Sequence, residues 1–320
     1  MNADIFPFLQ APNWTKCRAG CLAETFFDLH SNDADCNEWL GDSVFSGPLP
    51  FRGIGLIGLA DDEGVRLNNG RPGARDGPRA IRQALANYGQ ASCIGLLNTE
   101  RGTALRIVDA GDLIPGRDLT ETHDRVTASV RSLLELGLLP IGVGGGHDLT
   151  FPLVRAVAAA MEGALHGVYF DAHLDVRESL GSGMPFRRII EHCNVASLHC
   201  LGMNRFANSA DHVAWFLSHH GHLETFSAAD WPGDENQFVS IDLDVLDVCH
   251  APGVSAVNPA GLSASTLADY AVSAGRCSNV GCFDIMELCP THDEDGRTAR
   301  VAAHLLLCFI SGCQQRGRNA

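Results

Sequence analysis

The sequence VYFDAHLD at residues 168–175 joins a short apolar stretch directly to three side chains that can bind a metal ion. Two further segments have the same layout, PIGVGGGHD at residues 140–148 and VSIDLDV at residues 239–245. A short apolar run of this kind is typical of a strand buried in a parallel sheet. The polar side chains that follow each run would lie at the carboxyl ends of the strands, where open α/β sheets bind their ligands.

Predicted strands and helices alternate outward from these segments along most of the 320 residues. The apolar runs predict strands at 53–59, 104–110, 138–143, 167–170, 195–201, 238–241 and 280–286. Helices are predicted at 78–88, 118–136, 149–161, 206–219, 263–274 and 297–310, and a polar loop at 61–77. This alternation predicts an α/β fold with a mainly parallel sheet and helices on both faces.

Residues 1–50 differ from the rest because they mix Pro, Asp, Cys and aromatic residues without a clear period. We expect them to form an irregular extension packed on the rest of the chain. No internal repeat or low-complexity linker divides residues 51–320, which we therefore expect to form a single domain.

The composition indicates which classes of partner and which cellular compartment to expect. The formal net charge is −15, which argues against a nucleic-acid partner because the phosphates would be repelled. No apolar stretch approaches the ~20 residues of a membrane span, and the first 14 residues do not resemble a signal peptide. The 12 cysteines include no CxxC pair, the closest being Cys17 with Cys21, so free thiols and a cytoplasmic location are expected.

The three motif segments together place four carboxylates and two imidazoles at strand ends. Asp171, His173 and Asp175 are spaced so that all three point to one side of an extended chain. A lone His147 after glycines is more often a turn residue, and Asp242 with Asp244 alone could form a solvated strand end. All three segments in the same context instead predict a cluster of cations, since burying such carboxylates unpaired costs several kcal/mol per ion.

The ligand set indicates which metal and how many ions. A ligand charge of about −4 matches two divalent ions, and mostly oxygen ligands with some imidazole favour Mn²⁺ over metals that prefer thiolates. We therefore expect two Mn²⁺ per subunit, with Zn²⁺, Co²⁺ and Ni²⁺ left open.

These motifs, in this order, resemble the signature of the ureohydrolase superfamily, which comprises arginases, agmatinases and formimidoylglutamases. The resemblance runs from about Phe51 to Ile310 and implies an arginase-like catalytic domain, a three-layer α/β/α sandwich around a mainly parallel sheet of about eight strands. It also implies the ligand roles. One Mn²⁺ would be held by His147 and Asp175, the other by His173 and Asp244, and both would be bridged by Asp171 and Asp242.

Further segments are similar to formimidoylglutamases in particular. They are DEGVR at 62–66, NGR at 69–71, SG at 182–183, PFR at 185–187, GMNRFAN at 202–208, APGVSA at 251–256 and DGRTAR at 295–300. Arginases and agmatinases usually carry a proton-shuttling His where this chain has Phe186, which argues against them. The typical formimidoylglutamase loop reads Ser-Ser-Gly-Thr, whereas this chain has Gly181 and Met184 at the outer positions.

The resemblance implies hydrolysis of N-formimino-L-glutamate to L-glutamate and formamide, a reaction of histidine degradation. The metal pair would activate a water molecule. Glu287 would bind the cationic formimino group and Asp175 would carry a proton to the leaving nitrogen. The expected substrate-binding residues are Arg71, Arg177, Ser182 and Arg187, the three arginines because planar guanidinium groups pair bidentately with carboxylates.

Several alternatives stay open at this stage. The chain could act on a guanidino compound, as a guanidinobutyrase, agmatinase or arginase does. It could also be a metal-binding homologue without catalysis, although its ligand set is intact. A nucleotide-binding module is disfavoured because the glycines at 142–146 lack the Lys-Ser/Thr of a P-loop. A small-molecule amidine is the expected partner, and the resemblance leaves a homo-oligomer open.

Overall fold

A ten-stranded sheet lies at the centre of the computed structural model, which describes residues 6–14, 26–30, 51–89, 105–223, 225–233 and 235–316. The strands are β1 (Leu9–Gln10), β2 (Phe27–Asp28), β3 (Gly53–Gly58), β4 (Arg106–Leu113), β5 (Leu138–Val143), β6 (Leu165–Phe170), β7 (Val195–Leu201), β8 (Gly221–His222), β9 (Gln237–Asp242) and β10 (Val280–Met286). Their order is β1-β4-β3-β5-β10-β9-β6-β7-β8, and β2 also pairs with β4. Only the β1–β4 pairing is antiparallel among these described strands. The mainly parallel sheet is thus confirmed, with eight strands from β3 to β10.

Helices cover both faces of this sheet. They are α1 (Glu63–Leu67), α2 (Gly77–Leu85), α3 (Leu119–Glu135), α4 (Thr150–Ala160), α5 (Pro185–His192), α6 (Ala210–Ser218), α7 (Ala264–Arg276) and α8 (Arg297–Cys313). Helices α2, α7 and α8 pack together on one face, and α3, α4 and α5 pack on the other. Side chains alternate along a strand, so β10 contributes to the cores on both faces of the sheet. Phe283 and Ile285 pack in the core beneath α2, α7 and α8, whereas Cys282 and Met286 pack in the core on the opposite face. The three-layer α/β/α sandwich is therefore confirmed.

The helix boundaries follow from capping side chains. Ser263 accepts a hydrogen bond from the backbone N–H of Thr266 and starts α7, as the sequence predicted. Ser209 caps α6 in the same way, so this helix begins at Ala210 and the predicted start at residue 206 was wrong. The predicted loop at 61–77 was also wrong in part, because residues 63–67 form α1. The sequence analysis did not predict α5, which begins at Pro185 in the first-turn position that proline favours.

A fully buried arginine ties α2 to β4. The guanidinium of Arg82 donates two hydrogen bonds of 2.8 Å to the carboxylate of Asp109 and a third to Asp112. Arg82 and Asp109 have no exposed surface, and Asp112 is nearly buried. A buried charge is tolerated only when it is paired in this way, so the triad fixes the edge of the sheet on which the helix rests.

The N-terminal segments that the structure describes join this same edge. β1 pairs with residues 112–113 of β4, and β2 pairs with residues 108–109. Cys17, Cys21 and most of the predicted irregular extension lie outside the described residues, so the division into 1–50 and 51–320 stays a prediction. Within the part of the chain that is described, no helix is both long enough and apolar enough to cross a membrane.

Candidate metal centre

The sheet order brings the three motif segments together. Strands β5, β10, β9 and β6 are neighbours in this order, and all are parallel. Their carboxyl ends therefore meet at one edge, where His147 follows β5, Asp171 follows β6, Asp242 ends β9 and Glu287 follows β10. The predicted ligand residues, far apart in sequence, thus converge because a parallel sheet places the carboxyl ends of all its strands on one side.

Two groups of side chains form within this cluster. In the first, His147 Nδ1 lies 3.0 Å from Asp175 Oδ2, 3.2 Å from Asp171 Oδ2 and 3.3 Å from Asp242 Oδ2. In the second, His173 Nδ1 lies 3.0 Å from Asp244 Oδ2 and 3.4 Å from Asp171 Oδ1. Within each group one ligand atom from each residue lies within 4.8 Å of the others. Asp171 faces both groups with different oxygens.

The electrostatics of the cluster fit a pair of divalent cations. Burial and the neighbouring carboxylates of Asp244 and Asp171 raise the pKa of Asp242 well above its ordinary value. Burial alone lowers the pKa of His173, but its contacts with Asp171 and Asp244 outweigh burial and raise the pKa to about 12. Asp171 is fully buried, and its Oδ2 accepts no well-formed hydrogen bond from the described residues, although His147 Nδ1 lies 3.2 Å away. These carboxylates therefore require positive charge, which two divalent ions would supply through a donor set suited to Mn²⁺.

Tight glycine turns place His147 at this edge. Gly144 and Gly145 have φ values of 75° and 80°, which favour glycine. A side chain on Gly144 would collide with Pro78, and one on Gly145 would lie 2.1 Å from the carbonyl oxygen of Leu59. The turn is also tied to β10, because Gly145 accepts a hydrogen bond from Glu287 N and His147 N donates to Glu287 Oε1.

Two site residues adopt the same left-handed backbone without being glycine. Asp175 has a φ of 48° and Glu287 a φ of 67°. This conformation costs roughly 1–2 kcal/mol for a residue with a side chain. The surrounding contacts hold both residues there, which is common where side chains are arranged for chemistry.

An asparagine braces the loop that carries three of the predicted ligands. Asn208 Oδ1 accepts a hydrogen bond from Leu174 N, and its Nδ2 donates to Ala172 O and Asn204 O. These contacts fix the backbone between Asp171 and Asp175. Sequence reasoning gave Asn208 no role, although the GMNRFAN segment that contains it was one of the matching motifs.

A cavity of about 300 Å³ opens above the cluster. Its lining includes these predicted site residues: His173, Asp175, Asp242, Asp244, Glu287, Arg71, Arg177 and Ser182. His147 and Asp171 are buried beneath it. Sequence reasoning assigned no role to other lining residues, namely Asn68, Asn69, Asn208, His212 and Ser255, because isolated polar residues carry no periodic signal.

Arg71 and Arg177 line the cavity with guanidinium groups that bind neutral oxygens of the protein. Arg71 Nε donates to Ser255 O at 2.9 Å and its Nη2 to Val254 O at 2.6 Å. Arg177 Nη1 donates to Asn68 Oδ1 at 2.7 Å. Within the described ranges, no ion pair joins either arginine to a carboxylate. Both guanidinium groups are therefore held in place yet remain available to an anionic ligand.

Arg187 has different surroundings. Its Nε lies 2.9 Å from Glu191 Oε1, and its guanidinium stacks 4.7 Å above the ring of Trp215. It does not line the cavity. The substrate role predicted for Arg187 thus has no support from its contacts and stays a prediction.

Glu287 lines the cavity, and only one of its two carboxylate oxygens is hydrogen-bonded within the described residues. Its Oε1 accepts from His147 N, whereas Oε2 is buried with no partner among the described residues. Burial raises the pKa of Glu287 to about 8, although the backbone hydrogen bond from His147 opposes this shift. A cationic group placed against Oε2 would satisfy the unpaired oxygen and favour the ionised form.

Phe186 faces the core and not the cavity. Its ring is fully buried, stacks on Tyr169 with 3.5 Å between ring centroids, and contacts the His147 ring edge-to-face at 5.2 Å. Phe186 stands where the family resemblance implies a shuttling histidine in arginases, and in this chain it packs against the predicted ligand His147.

Comparisons with known proteins agree with this geometry. A sequence model of the Arginase family matches residues 52–312. The chain is 34% identical over 292 residues to a formimidoylglutamase of Aeromonas salmonicida, covering 83% of this chain and 90% of the relative. It is 31% identical over 265 residues to a formimidoylglutamase of Halobacterium salinarum, covering 77% and 84%.

Solved structures show the same relationship. A formiminoglutamase of Trypanosoma cruzi, crystallised with Mn²⁺, superposes with a TM-score of 0.73 at 32% identity and covers 86% of this chain and 98% of its own. A formimidoylglutamase of Bacillus subtilis superposes with a TM-score of 0.74 at 26% identity, covering 98% and 99%. With the family match spanning most of the sequence and the expected strand-end cluster in place, the chain belongs to the arginase family.

Proposed function

We propose that this protein is a binuclear manganese hydrolase that cleaves the C–N bond of N-formimino-L-glutamate to give L-glutamate and formamide. The observation that carries the proposal is a buried cluster of four aspartates and two histidines beneath a cavity whose rim holds two unpaired arginines. The names of the similar proteins in Aeromonas, Trypanosoma and Bacillus support the same reaction. The enzyme would act in histidine degradation.

The ligand roles follow the two groups of side chains. His147 and Asp175 would hold one Mn²⁺, and His173 and Asp244 the other. Asp171 would bridge the ions, which is supported by its two oxygens facing the two groups. Asp242 is the second bridging ligand implied by the family, and its Oδ2 lies with the first group. When bound, the ions would lower the pKa of a water molecule and so supply the nucleophile.

Protein side chains would orient the substrate and move its protons. The free Oε2 of Glu287 would accept charge-assisted hydrogen bonds from the cationic formimino group. Asp175 belongs to the cluster and also lines the cavity, where it would carry a proton from the nucleophile to the leaving nitrogen. Protonation of that nitrogen lets the C–N bond break with glutamate leaving as a neutral amine.

The rim arginines would select a dicarboxylate. Arg71 is anchored on backbone carbonyls and Arg177 on Asn68, so little side-chain entropy remains to be lost on binding. Ser182 Oγ accepts a hydrogen bond from Asn68 Nδ2, and Asn68 is the residue that also anchors Arg177. Agmatine and 4-guanidinobutyrate carry fewer carboxylates, and their turnover would depend less on these arginines.

The test is a product assay on the Mn²⁺-loaded protein with N-formimino-L-glutamate, arginine, agmatine and 4-guanidinobutyrate. We expect formamide and glutamate from the first compound alone. Arg71→Ala and Arg177→Ala should each raise KM at least tenfold, because a charge-assisted hydrogen bond contributes about 1.5–3 kcal/mol. Arg276→Ala, an exposed arginine on α7 paired with Gln315, is the matched control.

Urea from a guanidino compound would overturn the substrate assignment and keep the hydrolase. No product from any compound, with two ions bound, would favour a metal-binding homologue without catalysis. The protein acts on a small molecule under this proposal. A homo-oligomer and a cytoplasmic location stay predictions, the latter supported by the eight free cysteines of the described part.

A further inference from the structure

The two ring nitrogens of His147 face different surroundings. Nδ1 faces the three carboxylates of the first metal group. Nε2 points away from the cavity and lies 3.0 Å from the hydroxyl oxygen of Ser240. That hydroxyl lies 2.5 Å from Oδ1 of Asp284, with Thr150 Oγ1 3.4 Å from it. The contacts form a line from the metal cluster through an imidazole and a hydroxyl to a carboxylate.

The sheet fixes this line in place. Ser240 on β9 and Asp284 on β10 are direct register partners on adjacent parallel strands. Side chains of such partners lie on the same face at close distance. His147, Ser240 and Asp284 are each at most 1% exposed, so water does not compete for their hydrogen bonds. The order of donors and acceptors is therefore set by these three groups together with the hydroxyl of Thr150.

The number of protons determines that order. An ionised carboxylate only accepts hydrogen bonds, so Asp284 takes the single proton of the Ser240 hydroxyl. The hydroxyl oxygen then has only lone pairs left for His147, and the imidazole must carry its proton on Nε2. In the neutral ring, the lone pair is consequently on Nδ1, which faces the metal group.

We propose that Ser240 and Asp284 are positioning residues that hold His147 in the tautomer and orientation needed to bind the first ion. The inference rests on the dinuclear centre of the proposed function. It implies an asymmetry between the two ions, because His173 Nε2 has no comparable partner among the described residues. Loss of the hydroxyl or the carboxylate should weaken the first ion and leave the second unchanged.

The experiment is a calorimetric titration of the metal-free protein with Mn²⁺, supported by electron paramagnetic resonance of the free ion. In the wild type we expect two ions. In Ser240→Ala one ion should bind 10–100-fold more weakly, the range typical for loss of a hydrogen-bond partner of a metal ligand. Asp284→Asn keeps an acceptor but removes the charge, so the same ion should weaken by a smaller factor.

The double variant tests whether the hydrogen bonds of Ser240 and Asp284 act as one coupled series or as two independent contacts. If the hydroxyl acts through the carboxylate, Ser240→Ala with Asp284→Asn should lose no more affinity than Ser240→Ala alone. A matched control is Ser197→Ala, since Ser197 Oγ lies 2.8 Å from His166 Nδ1 on the same sheet. His166 in β6 lies five residues before Asp171, or roughly 16 Å away at about 3.3 Å per residue, so this variant should bind both ions normally.

The outcomes distinguish this inference from the proposed function. A wild type that binds no Mn²⁺ contradicts the dinuclear centre itself. Two ions in the wild type with unchanged affinities in Ser240→Ala and Asp284→Asn overturn only the positioning role. Equal weakening of both ions in Ser240→Ala, or additive losses in the double variant, also overturns it. If Ser240→Ala does not fold, Asp284→Asn alone decides, because it keeps the side-chain volume.

Discussion

Replacing Asp242 by asparagine removes one carboxylate from the metal cluster while keeping the shape of the side chain. Asp242 Oδ2 belongs to a group whose ligand atoms lie within 4.8 Å of one another. An ion held among them would lie within about 4 Å of the lost charge, where two unit charges interact by about 4 kcal/mol at an effective dielectric constant of about 20. Since about 1.4 kcal/mol is a tenfold change, we expect Asp242→Asn to weaken Mn²⁺ binding roughly 1,000-fold.

The same change has a different effect on the metal-free protein. Burial and the carboxylates of Asp244 and Asp171 raise the pKa of Asp242 well above its ordinary value of 3.8. Its contribution to stability is therefore complete below pH 3.8 and is lost as the pH rises through the raised pKa. Asparagine does not titrate. At neutral pH we expect the metal-free variant to be at least as stable as the metal-free wild type, with less dependence on pH.

The assay combines metal content after dialysis, formamide release and thermal unfolding with and without Mn²⁺. A ligand at 100 times its dissociation constant stabilises a protein by about 2.7 kcal/mol, so Mn²⁺ should raise the Tm of the wild type and leave that of Asp242→Asn unchanged. Asp269→Asn, an exposed residue on α7, is the matched charge control. Full metal occupancy with normal turnover, or a metal-free variant that melts well below the metal-free wild type, would refute the reasoning.

Three further changes test other parts of the structure. Glu287→Gln should keep two Mn²⁺ but raise KM about 10–100-fold, since its free oxygen loses charge; an unchanged KM would remove it from substrate binding. Phe186→His should lower the free energy of unfolding by about 3 kcal/mol and yield no urea from arginine, because the ring is buried against Tyr169; urea release would contradict this orientation. Arg82→Leu should cost about 3–5 kcal/mol in urea unfolding by leaving two buried carboxylates unpaired, without changing Mn²⁺ stoichiometry.

The sequence predicted the centre of the sheet well because the central strands are buried along their whole length. The run at residues 138–143 is followed directly by three glycines, and every residue of 280–286 is buried, which leaves few other interpretations. Helix α1 has five residues and α5 has eight, too short for a helical period to stand out. The strands β1 and β2 have two residues each, and their existence depends on pairing with β4, which is a tertiary contact.

The proposed metal ligands stand out in the sequence, whereas the residues around the cavity do not. Asp171, His173 and Asp175 carry their signal in local spacing. Arg71 and Arg187 look equivalent in sequence, and only the fold places one at the cavity and the other against Glu191. The partnership of Ser240 with Asp284 depends on strand register across 44 residues, which sequence patterns do not specify.

The left-handed backbone at Asp175 and Glu287 has a consequence for engineering this enzyme. Glycine would relax both positions, and asparagine would ease them in part, so either replacement can add up to roughly 1–2 kcal/mol to the fold. A library screened only for heat resistance would therefore enrich these replacements and discard the proposed metal ligand Asp175 and the proposed substrate-binding residue Glu287 together. Selection for stability in this protein has to be coupled to selection for turnover from its first round.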